Sequence, residues 1–114
     1  HALEVLLDYG TLVHGEAVAI GMALAADYSA QLGLASQTDA DRLKALLHAF
    51  GLPTQLPPAM NAAQIIEKMR LDKKALHGEL RLVLWRGIGA CTLHANASGD
   101  DVLRFLDHRL RTSC

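Results

Sequence analysis

Aromatic side chains are scarce in this chain: one Trp, two Tyr and two Phe among 114 residues, or 4%. A core built around large rings is therefore excluded, and Leu, Ala, Ile, Val and Met must fill it. With 51% hydrophobic residues there is enough material for a real core. Ala and Leu head the helix-propensity scale, so this composition favours packed helices. Net charge is nearly absent too. Eleven basic and twelve acidic residues leave −1 at pH 7, which gives no electrostatic reason to expect nucleic acid or an anionic membrane surface as a partner. Long apolar runs are missing: the longest, Ala17 to Ala26, is too short to span a bilayer. The opening residues lack the basic-then-apolar order of a signal peptide, and a cytoplasmic location is expected. Cysteine is reduced to Cys91 and Cys114, isolated and without metal-like spacing. A reduced thiol pair is expected in place of a disulfide, with Cys91 as a small apolar core residue. At this length one domain, residues 1–114, is the natural reading.

What is present is helical in pattern. Residues 1–7 read as the tail of a helix broken at Asp8-Tyr9-Gly10. Residues 13–33 form a long segment that is apolar nearly all round, which predicts a central buried helix. Its many Ala and Gly residues would let neighbouring backbones approach closely, and Gly33 is placed to end it. Residues 36–50 repeat apolar side chains at Leu43, Leu46, Leu47 and Phe50, an amphipathic spacing, stopped by Gly51-Leu52-Pro53. Asn61 with Gln64 has the form of a capping box for a helix to about Met69, with Ile65, Ile66 and Met69 on one face. Two short strand-like runs, 80–85 and 91–94, flank Gly87-Ile88-Gly89, which predicts a small β-hairpin. Ser98 caps a last helix whose first turn holds Asp100 and Asp101, suiting the macrodipole. The fold class expected is mainly α: a helical bundle with one small β-hairpin.

His14 is the sharpest chemical candidate. Neutral imidazole is a good zinc ligand, but a catalytic zinc needs about three protein ligands, and His14 supplies one. Glu16 lies two residues on and points to a different helix face, so the two do not form a metalloprotease-like pair. By the residues alone, His14 is either one ligand or a helix-terminal histidine bonded to a nearby carbonyl. His1 by itself reads as a frayed terminal residue. Lys73 and Lys74, after Asp72, read as a solvated charge pair or as cations for a phosphate. Arg81, in an alternating strand, reads as a structural ion-pair residue. Gly87-Ile88-Gly89 has no third glycine at dinucleotide spacing and no helix behind it, so no NAD fingerprint is visible. The remaining histidines, His48, His77, His94 and His108, are scattered singly.

Several blocks carry a family resemblance. Leu12-Val13-His14-Gly15-Glu16-Ala17-Val18-Ala19-Ile20-Gly21-Met22 closely resembles a signature of the 3-dehydroquinate synthases, "HGEAVAIGM". His1-Ala2-Leu3-Glu4 is similar to the end of that family's "GHTFGHAIE" segment, beginning at its last histidine. Leu71-Asp72-Lys73-Lys74 matches an "RDKK"-like element, and Gly78 to Leu84 matches a "GEMRLIL" strand. Trp85 departs from the pattern, which has proline there. The match covers essentially the whole chain and concerns the C-terminal domain alone. It implies a domain of a longer enzyme whose N-terminal domain binds NAD.

The resemblance implies conversion of 3-deoxy-arabino-heptulosonate 7-phosphate to 3-dehydroquinate with release of phosphate, a step of aromatic amino acid biosynthesis. NAD transiently oxidises a ring hydroxyl and zinc acts as a Lewis acid. It implies that His14 is a zinc ligand, the other two being a glutamate of the N-terminal domain and a histidine shortly before His1. It places His1 beside the substrate phosphate as an aid to proton movement, sends Lys73 or Lys74 to that phosphate, and leaves Glu4 to orient or cap. It implies a homodimer acting on a small sugar phosphate. Two alternatives remain: a related sugar phosphate cyclase, such as a 2-deoxy-scyllo-inosose synthase, and a free-standing helical interaction module.

Overall fold

The structure, a computed structural model, describes residues 1–7, 13–70 and 80–112. Five helices and one hairpin follow in the order α1 (Ala2–Leu6), α2 (His14–Gln31), α3 (Gln37–Ala49), α4 (Ala62–Arg70), β1 (Leu80–Gly87), β2 (Ala90–Ala97) and α5 (Gly99–Thr112). This is the mainly helical fold with one hairpin that the composition implies. The expected break at Asp8-Tyr9-Gly10 lies outside the described residues, as do Lys73, Lys74, His77 and Cys114.

The helix ends follow from local chemistry. Val13 is extended at the start of α2, and its N–H donates to Glu16 Oε1 at 3.0 Å. Leu32 closes α2, and Gly33 takes φ +78 immediately after, a conformation that favours glycine. Ser36 accepts from the Asp39 N–H at the start of α3, and Asn61 and Ser98 do the same for α4 and α5. Gly89 turns the hairpin at φ +83. β1 and β2 pair antiparallel, with Leu84 opposite Thr92 and Trp85 opposite Cys91.

The core joins α1, α2, α4, α5 and β1. Leu3, Ile20, Tyr28, Ile65, Ile66, Leu80, Leu84, Val102, Phe105 and Leu106 are its larger buried members. Each aliphatic or Phe side chain so buried contributes roughly 1.5–3 kcal/mol. The Tyr28 ring packs against Phe105 with centroids 5.0 Å apart, so two of the few aromatics meet at the centre. A second, smaller cluster of Ala19, Ala23 and Leu47 fixes α3 on α2. Here small side chains do bring two backbones together.

Three expectations need correction. The helix α2 is buried on part of its circumference only: Val18 and Met22 remain 41% and 40% exposed, because no described element covers that face. A Cβ at Gly15 or Gly21 would meet nothing within 4 Å, so neither glycine serves close packing among the described residues. On α3, Leu47 is buried but Leu46 and Phe50 lie open, so the apolar face there is wider than the core it meets. Cys91 is exposed and free. It stands opposite Trp85, one residue off the Leu84–Thr92 pair that turns Leu84 inward, and strand alternation therefore turns it outward.

Candidate functional site

The candidate site is built by α1 and the first turn of α2. Leu3 anchors α1 in the core at 6% exposure, and this fixes the helix that carries Glu4 and is capped by His1. His1 occupies the N-cap of α1, is exposed, and accepts the Val5 N–H through its carbonyl at 3.2 Å. Glu4 follows one helical turn later on the same side. Its side chain is only 14% exposed, and Oε1 lies 3.0 Å from Nδ1 of His14. His14 opens α2 with its side chain 78% exposed. The Glu4 carboxylate thus contacts His14, and Glu4 sits in the five-residue helix that His1 caps.

Glu16 is not part of this pair. Its Oε1 is taken by the Val13 N–H, so it acts as a cap. Spaced by four residues from His14, Val18 and then Met22 continue along one exposed face of α2. The imidazole thus heads an apolar stripe with no described cover.

Beside α1 lies an open groove of about 760 Å3. Its walls are mostly apolar, from Leu24, Ile65, Leu82 and Phe105, while His1, Lys68 and Arg81 supply polar groups. His14 is not among the residues that line it. Arg81 is half-buried in β1. Tyr28 also lines the groove, and burial raises its hydroxyl pKa, with the Asp101 carboxylate adding to the effect. A charge cluster gathers around Asp27 of α2, and the adjacent Asp41 carboxyl is held below its ordinary pKa, first by the hydrogen bond from Gln37.

The arrangement offers a metal a single side-chain ligand. The Nε2 edge of His14 is open, and its Nδ1 is held by a carboxylate, as ligating histidines commonly are. Among the described residues no group of three His, Cys, Asp or Glu side chains is placed to hold an ion. The residues present therefore fit one ligand of a metal, not a complete set. For NAD, the Gly87-Ile88-Gly89 segment is the hairpin turn, as its spacing predicts. His48, unassigned by pattern, is structural: its Nε2 lies 2.7 Å from Thr54 Oγ1, tying the end of α3 to the following loop. No described helix is long and apolar enough to cross a membrane.

Residues 1–75 match the family described as 3-dehydroquinate synthase C-terminal. The chain is 49% identical over 111 residues to a 3-dehydroquinate synthase of Xanthomonas campestris pv. campestris (strain 8004), covering 93% of this chain and 30% of that protein. Over 105 residues it is 53% identical to a 3-dehydroquinate synthase of Xylella fastidiosa (strain M23), covering 88% and 27%. The chain thus spans about 30% of the length of the curated relatives it matches.

Proposed function

We propose, since the chain belongs to the 3-dehydroquinate synthase family through its C-terminal domain, that it is the metal- and substrate-binding part of such an enzyme. The complete protein would convert 3-deoxy-arabino-heptulosonate 7-phosphate to 3-dehydroquinate and phosphate. The observation that carries this reading is the match over residues 1–75, which spans His1, Glu4 and His14 and runs through Lys73 and Lys74.

Each residue has a role suited to its chemistry. His14 would hold zinc through Nε2, with the remaining ligands coming from outside this chain. The zinc, when bound, supplies Lewis-acid polarisation of the reacting hydroxyl. NAD, bound by the rest of the protein, supplies reversible oxidation of that carbon. His1 is exposed at a helix cap, and an imidazole is suited to moving a proton at the phosphate or an adjacent carbon. Lys73 or Lys74 would bind the phosphate as a point charge. The protein would work in the cytoplasm, as a homodimer.

Two variants of the complete protein test the assignment. His14→Ala should lose zinc, by elemental analysis, while circular dichroism stays that of the parent, because the side chain is exposed and not part of the core. Full zinc occupancy in that variant would reject His14 as a ligand. Replacing Lys73 and Lys74 together by Ala should weaken a phosphonate substrate analogue by roughly ten- to a hundredfold, since charge-assisted contacts contribute about 1.5–3 kcal/mol. NAD affinity should hardly move. If both affinities stay within about twofold, an exposed ion pair contributing about 0–1 kcal/mol is the better account of the lysines.

A further inference from the structure

We propose that Glu4 is a positioning residue that holds the imidazole of His14 as the Nδ1–H tautomer and so presents the Nε2 lone pair outward. An ionised carboxylate only accepts, whereas a neutral imidazole has one N–H and one lone pair. Glu4 Oε1 stands 3.0 Å from Nδ1, so Nδ1 must carry the hydrogen. The lone pair then falls on Nε2. Free neutral histidine prefers the opposite tautomer, with the hydrogen on Nε2, so the contact reverses an intrinsic preference.

The rest of the surroundings agree. Glu4 is held shielded at 14% exposure while the ring it grips is 78% exposed. The fixed end of the pair is therefore the carboxylate, and the open end is the imidazole. The fixity has a source: Leu3, the preceding residue, is buried in the main core, and Ala2 and Leu6 pack against it. The other nearby acid, Glu16, is engaged by the Val13 N–H. A purely structural pair has no need to leave the distal nitrogen in solvent. A ligand pair does, because the carboxylate partner both fixes the tautomer and raises the basicity of the coordinating nitrogen. The consequence for metal binding rests on the reading of His14 as a zinc ligand, whereas the tautomer itself does not.

The test reads the two separately. In the metal-free chain, labelled with 15N-histidine, long-range 1H–15N correlation reports which ring nitrogen is protonated, and His14→Gln assigns the signals. The expected spectrum shows Nδ1 in the protonated range and Nε2 in the unprotonated range, with the pattern reversing in Glu4→Ala. A parent spectrum already showing Nε2–H, or a Glu4→Ala spectrum unchanged at His14, overturns the proposal. The parent measurement needs no variant, so a folding defect in Glu4→Ala cannot shelter it. In the complete protein, Glu4→Ala should weaken zinc about 10–100-fold, measured by competition with a chelator. If the parent shows Nδ1–H but His14→Ala still binds zinc fully, the positioning by Glu4 stands and the metal role of His14 falls.

Discussion

Asp27 breaks the apolar character of α2 with a charge that is only 5% exposed. Such a carboxylate persists only if it is paired and hydrogen-bonded. Lys44 Nζ lies 3.0 Å from Oδ1 and Arg109 Nη2 lies 3.3 Å from Oδ2, while Gln37 Nε2 donates to Oδ1 at 3.2 Å. Three side chains from α3 and α5 thus converge on one residue of α2, and Arg109 also sits over the Phe105 ring. The two cations are more exposed than the anion, at 24% and 35%. This asymmetry decides which deletion costs more. Removing Asp27 frees cations that can turn to water, whereas removing both cations strands a buried negative charge. Lys44→Met with Arg109→Met should therefore destabilise the chain by about 3–5 kcal/mol, and Asp27→Ala by about 1.5–3 kcal/mol. Urea denaturation of the two variants checks the order, and the reverse order would mean that the pocket around Asp27 is wetter than its burial indicates. This cluster escaped sequence reading because its members are far apart in the chain and none belongs to a motif.

Between elements, the contact that seats the hairpin on α2 is also polar. The Ser29 hydroxyl is fully buried, donates to the Ala25 carbonyl at 2.6 Å and accepts the Trp85 N–H at 2.8 Å. The backbone N–H at 85 therefore points away from the β1–β2 ladder, at a place where the register shifts before Gly87. A proline there would take no bond from the ladder, which explains how the family pattern can carry proline where this chain has Trp85. The physical prediction is a coupling. Ser29→Ala leaves a buried N–H unpaired and should cost about 1–3 kcal/mol. In a Trp85→Pro background the same change should cost under about 0.5 kcal/mol, because no donor is left to orphan. Equal costs in both backgrounds would show that Ser29 acts through Ala25 and not through the strand. Elements of this kind were legible where a pattern is local. The helix starts at Ser36, Asn61 and Ser98, the stop at Gly33 and the turn at Gly89 each rest on a neighbouring residue's chemistry. The same holds for His14, which stands out because a polar ring opens an apolar helix, and for Glu4, one turn from His1. What local pattern could not show was coverage. Met22, Leu46, Phe50 and Cys91 all read as apolar positions of their segments, but which face meets a partner depends on elements distant in the chain.

At the scale of the whole molecule, the described residues form a body with a radius of gyration of 13.4 Å that leaves the candidate site open. The imidazole of His14 and its stripe along α2 face outward, and the groove beside α1 is open. About 70% of the length of the matched relatives has no counterpart in this chain. An ion held by one imidazole gains a single bond and keeps the rest of its shell in water, whereas a catalytic zinc is fixed by about three protein ligands. The described residues provide no group of three. The expected outcome is therefore that the chain alone shows no saturable one-to-one zinc site by calorimetric titration. It should also release no phosphate from 3-deoxy-arabino-heptulosonate 7-phosphate in the presence of NAD and zinc. Adding the remainder of the protein in trans should create tight zinc binding, and His14→Ala in the chain should abolish that gain. Tight stoichiometric zinc in the chain by itself, or turnover at the level of a complete synthase, would mean that a ligand set lies within these 114 residues. It would then have to draw on residues outside the described ones, since the described residues hold no group of three.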